Sequence, residues 1–100
     1  MILSQQEIKI IQNFFSDKPV LKAYLFGSFA RNEGDSSSDI DVLVELDYSK
    51  HIGISFFKMK SDLEQMLKKK VDIISSLAVS KYILPFINKD KQLIYERDNS

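Results

Sequence analysis

The chain reads as an α/β (α+β) protein, a small mixed β-sheet flanked by helices. Three observations predict this. Apolar runs at Ala23-Tyr24-Leu25-Phe26, within Asp39–Leu46 and at Val71-Asp72-Ile73-Ile74 have the length of strands. Apolar residues recur at helical spacing near the N-terminus and again through the middle of the chain. The segments follow one another as helix, strand, short helix, strand, long helix, strand, helix and short strand. That order is the signature of a sheet covered by helices.

Each element has a local reason. Ser4-Gln5-Gln6-Glu7 has the form of a capping box, and Ile8, Ile11 and Phe15 follow at helical spacing, with Ile10 and Phe14 widening the stripe. Asp17-Lys18-Pro19 ends that helix. The run through Phe26 stops at Gly27, as a buried strand ending in a turn does. Ser28 to Arg31 is expected to open a short helix. Asp39–Leu46 reads as the next strand, and Asp47–Gly53 as a loop. Phe56, Met59, Leu63, Met66 and Leu67 mark an amphipathic helix of about four turns. It ends in Lys68-Lys69-Lys70, cations suited to the negative end of a helix dipole. Val71-Asp72-Ile73-Ile74-Ser75 is a short strand, and Lys81–Ile87 a last helix that starts or bends at Pro85. Tyr82, Phe86 and Ile87 serve either the core or a partner surface. Arg97-Asp98-Asn99-Ser100 is expected to fray.

The chemistry concentrates in residues 27–41. Gly27 lacks a Cβ and lets another group approach its backbone. With the Ser28 hydroxyl and the N–H groups of a helix start, it can hold the phosphates of a nucleoside triphosphate. On a strand Asp39 and Asp41 share one face, while Ile40 and Val42 point to the core. Two neighbouring carboxylates repel unless a cation lies between them, and Mg²⁺ binds such carboxylates together with substrate phosphates. Asp72, an acid among apolar residues, is a third ligand or a general base if its strand lies beside Asp39–Leu46. Taken singly these features are common turns and strand-end acids. Their joint order and spacing is what points to a site.

Gly27-Ser28-Phe29-Ala30-Arg31 followed by Ser38-Asp39-Ile40-Asp41-Val42-Leu43-Val44 resembles the signature of the polymerase-β-type nucleotidyltransferase superfamily. The likeness is greatest to its minimal, MNT-type members, encoded beside HEPN-domain proteins in toxin–antitoxin pairs. It extends to Val71-Asp72-Ile73-Ile74 as the third acidic strand and Leu93-Ile94-Tyr95-Glu96 as the closing strand. Asn32 stands where the family commonly has Gly, and Gly34 is placed to supply the missing flexibility. The resemblance implies Gly27, Ser28 and Arg31 on the nucleotide and Asp39, Asp41 and Asp72 as catalytic metal ligands. It implies two Mg²⁺ ions, ATP as substrate, and an AMP group moved to a hydroxyl of a HEPN-type toxin. The protein would then be a catalytic antitoxin, working in a hetero-oligomer. A non-catalytic binding module and a stand-alone transferase of small molecules are the competing readings.

Composition sets bounds. One hundred residues with a 44% hydrophobic share make one domain spanning 1–100, which the resemblance implies is a nucleotidyltransferase domain. Fourteen basic and 14 acidic residues balance, which argues against direct nucleic-acid binding. No cysteine, no signal-peptide pattern and no spanning apolar run predict a cytoplasmic protein away from membranes. His51, the one histidine, sits in a polar loop and is not expected to be catalytic.

Overall fold

The computed structural model describes residues 3–31, 33–34 and 38–97. The expectations made for Asn32 and for residues 98–100 lie outside these. Three α-helices and four strands follow in the order α1 (Gln5–Ser16), β1 (Val20–Phe26), β2 (Ile40–Leu46), α2 (Gly53–Leu67), β3 (Val71–Ser75), α3 (Leu84–Asp90) and β4 (Gln92–Glu96). A 3₁₀ turn, Ser76–Ala78, follows β3.

The strands form one mixed sheet in the order β3-β2-β1-β4. β2 runs parallel to β3, and β1 runs antiparallel to both β2 and β4. A parallel pair requires a crossover, and α2 supplies it. α1 and α2 pack together over one face of the sheet. Ile11, Phe15, Met59 and Leu63 there meet Ala23, Ile40, Val42, Val44 and Val71, all of them shut off from solvent. Apart from Ala23, each such side chain contributes about 1.5–3 kcal/mol by leaving water. The alternation of β2 sends Ile40, Val42 and Val44 into this core, and Asp41 to the opposite face.

The N-terminal capping box forms as read. Ser4 Oγ accepts from Glu7 N–H at 3.1 Å, and Glu7 Oε1 accepts from Ser4 N–H at 2.9 Å. The last helix begins at Leu84 with Pro85 in its first turn, where a missing N–H is harmless.

Four local expectations change. Ser28–Arg31 is a single hydrogen-bonded turn and no α-helix. β2 begins at Ile40, so Asp39 lies one residue ahead of the strand. Met66 is half exposed, because Met59, Leu63 and Leu67 already fill the strip of α2 that faces the sheet. Arg97 is no part of a frayed tail. Its guanidinium donates to Asp47 Oδ2 at 2.6 Å and to the Lys18 carbonyl at 3.1 Å, and its N–H donates to the Leu21 carbonyl at 2.8 Å.

Candidate active site

The site lies where the segment joining β1 to β2 crosses the end of the sheet. Antiparallel pairing sets Phe26 opposite Asp41, so Gly27 emerges beside that carboxylate. Gly27 has φ +76°, a conformation that side chains disfavour. A Cβ built there would collide with Asp41 Oδ2. Glycine is thus required twice, by the backbone and by the acid packed against it.

The turn after Gly27 closes on itself. Arg31 N–H donates to the Gly27 carbonyl at 3.2 Å, and Glu33 N–H donates to the Ser28 carbonyl at 2.8 Å. The second bond spans five residues where an α-helix spans four, so the turn does not propagate. Phe29 and Ala30 are buried under it, and Gly34 lies flat against the Phe29 ring, where a Cβ would clash. Gln92 Nε2, from β4, donates to the Ala30 carbonyl at 3.0 Å. Arg31 points to α3. Its Nη1 meets Asp90 Oδ2 at 3.0 Å, and its Nε meets Glu33 Oε2 at 2.8 Å. Both carboxylates hold the guanidinium firmly charged.

Parallel pairing sets Asp41 directly opposite Asp72 on the neighbouring strand. Strand adjacency thus brings together two acids far apart in sequence. The consequence is electrostatic. Partial burial, then the nearby charges of Asp72 and Asp39, push the Asp41 carboxyl up to about 6 from its usual 3.8, with Arg31 opposing. Asp39, ahead of the strand, borders an open cleft of about 620 Å³ shared with Lys60, Glu64 and Lys68–70. Asp72 is met by Lys60, whose Nζ lies 3.4 Å from Oδ1.

The donor set suits a hard divalent cation, being all oxygen and supplied from adjoining backbone segments. Burial first, and then the charges of Asp72 and Asp39, raise the proton affinity of Asp41, and a cation bound there would reverse that rise. Among the described residues, no three acidic or histidine side chains already close around a common point. The acids are neighbours, and a metal would have to draw them in.

Two features escaped the sequence reading. Lys60 sits on the exposed side of α2 and gives no signal except its spacing to Glu64. Lys69 does not serve the end of α2. It pairs with Glu7 Oε2 at 2.7 Å and lies 5.6 Å from the centre of the Phe29 ring, tying α1 to the Gly27 turn. His51 lies in the loop before α2 and lines a surface depression with Lys18 and Arg97, away from the acids.

The sequence profile described as polymerase beta, nucleotidyltransferase matches residues 9–100. The chain belongs to the polymerase-β nucleotidyltransferase family. A Methanocaldococcus jannaschii protein named as a candidate protein adenylyltransferase is 36% identical over 89 residues, covering 87% of this chain and 84% of its own length. A second protein of that organism, similarly named, is 43% identical over 56 residues, which span 56% of this chain and 59% of the relative. Among solved structures, a toxin–antitoxin complex with AMP-PNP contains a chain similar to this one with a TM-score of 0.77 at 19% identity, over 91% of this chain and 74% of that one. A tri-AMPylated Shewanella oneidensis HEPN toxin in complex with its MNT antitoxin gives a TM-score of 0.71 at 18% identity, over 94% and 73%. At these identities the structural likeness is one of fold. This nucleotidyltransferase shares the minimal fold, three helices on a four-stranded mixed sheet.

Proposed function

We propose that this nucleotidyltransferase moves AMP from ATP to a hydroxyl of a HEPN-type toxin and so acts as its catalytic antitoxin, a cytoplasmic protein working as one nucleotidyltransferase domain. The observation that carries the reading is the registered pair Asp41–Asp72 beside the Gly27 turn. Like charges facing each other across adjacent strands cost stability, and a surface for contact alone has no use for them. The names of the M. jannaschii relatives and the toxin complexes of similar fold support the choice of acceptor.

In this reading the Gly27–Ser28 turn holds the triphosphate beside Asp41, the Ser28 hydroxyl donates to a phosphate oxygen, and Arg31, paired with Glu33 and Asp90, borders the nucleotide. Asp39, Asp41 and Asp72 would hold Mg²⁺, two ions in the full form. When bound, divalent ions neutralise the triphosphate and stabilise the departing pyrophosphate. The acceptor hydroxyl attacks the α-phosphorus. A new phosphorus–oxygen bond forms, the bond to the β-phosphate bridge breaks, and Asp72 takes the hydroxyl proton. Positioning and charge neutralisation supply most of the rate.

The test is to incubate the protein with its co-encoded partner, ATP and Mg²⁺, and weigh the partner by mass spectrometry. One or more AMP additions are expected, lost with Asp41→Ala. A stable complex with no mass change would show neutralisation by contact and end the catalytic reading.

A further inference from the structure

Lys60 is held at the mouth of β3 by three acceptors. Its Nζ donates to the Val71 carbonyl at 2.9 Å, lies 3.5 Å from Glu64 Oε2, and reaches Asp72 Oδ1 at 3.4 Å. Glu64 in turn accepts the Val71 N–H at 2.9 Å, so the ammonium and the strand start are bracketed together. The contact to Asp72 is longer than the one to Val71 and is half exposed. It can break while the shorter bond to the Val71 carbonyl stays made.

We propose that Lys60 is a tethered cation that occupies Asp72 when no metal is present and is displaced from it when a divalent ion enters between Asp72 and Asp41. This rests on Asp72 being a metal ligand. Asp41 and Asp72 face each other, and Asp39 adds to the same field. Lys60 is the cation the structure places on the Asp72 carboxylate. An ammonium there lowers the repulsion in the metal-free protein and competes with the ion for the same oxygen. Lys60 is therefore a positioning residue. It sets the metal concentration at which the site assembles, and afterwards remains at the rim of the cleft that Asp39 borders.

The experiment titrates Mn²⁺ alone, without nucleotide, into the full-length protein and follows free Mn²⁺ by electron paramagnetic resonance. Lys60→Met should tighten Mn²⁺ binding about three- to fivefold, the scale of one exposed ion pair. Lys60→Arg, which keeps the cation, should match the native protein and controls for altered folding. Asp72→Asn should weaken binding and abolish the gain from Lys60→Met in the double variant. If Asp72→Asn weakens binding but Lys60→Met leaves it unchanged or weaker, the tethered-cation role is wrong and the metal site stands. If Asp72→Asn has no effect on Mn²⁺, Asp72 is not a ligand, and both the metal assignment at Asp72 and the role of Lys60 fall.

Discussion

At Gly27 a left-handed backbone and the Asp41 carboxylate meet in one place. Gly27→Ala is expected to destabilise the fold by about 1–2 kcal/mol from the backbone alone. It should also push Asp41 aside. Urea unfolding measures the first effect, and ATP titration the second. An alanine variant of native stability would mean the turn relaxes freely. Asp41 gives a prediction of opposite sign. Its folded pKa of about 6 exceeds the usual 3.8, so the folded state binds the proton more tightly than the unfolded chain. The metal-free protein should gain stability as pH falls from about 7 towards 4, as far as Asp41 governs it. Asp41→Asn should raise the melting temperature of the metal-free protein at neutral pH and flatten that rise. Melting curves across the range, taken in EDTA, check both. Loss of stability in the Asn variant at neutral pH would contradict a repulsive cluster.

At the scale of elements, α2 ends without glycine. Lys68 takes the left-handed cap position with φ +57°, and its N–H donates to the Glu64 carbonyl at 2.7 Å. Glycine is the ordinary residue there. Lys68→Gly should stabilise the protein by up to about 1 kcal/mol, measured by urea unfolding. A destabilised variant would show that the Lys68 side chain has a partner role of its own. The elements were legible because each carries a local signal: the capping box at Ser4, the apolar stripe of Ile11 and Phe15, and the abrupt end of β1 at Gly27. What was not legible depends on backbone bonds and packing that form only in the folded chain. No local pattern says that Ser28–Arg31 stops after one turn, since that follows from Glu33 bonding back to Ser28. Nor does any say that Met66 stays outside, or that Lys69 reaches α1 rather than the helix end.

At the scale of the molecule, topology makes the site. A β1–β2 antiparallel pair and a β2–β3 parallel pair set Gly27, Asp41 and Asp72 side by side from three separate parts of the chain. The sequence named these residues; their register against each other exists only once α2 has crossed the sheet. The molecule also presents apolar groups outward, with Tyr82, Ile83 and Phe86 exposed around the start of α3 while Ile87 is buried. Phe86 and Ile83 line a cleft of about 200 Å³ that ends at Gly27 and Arg31. Among the described residues, no helix is long and apolar enough to cross a membrane.

If this site transfers a nucleotidyl group, the position of the label in ATP reveals it most directly. Purified protein and its co-encoded partner should be incubated with Mg²⁺ and ATP radiolabelled at either the α- or the γ-phosphate. Attack at the α-phosphorus with loss of pyrophosphate predicts that α-label becomes covalently attached to the partner and γ-label does not. Asp41→Ala should abolish the attachment while the protein stays folded. Attachment of γ-label would identify phosphoryl transfer instead. No attachment of either label, with the partner nonetheless neutralised, would contradict the account.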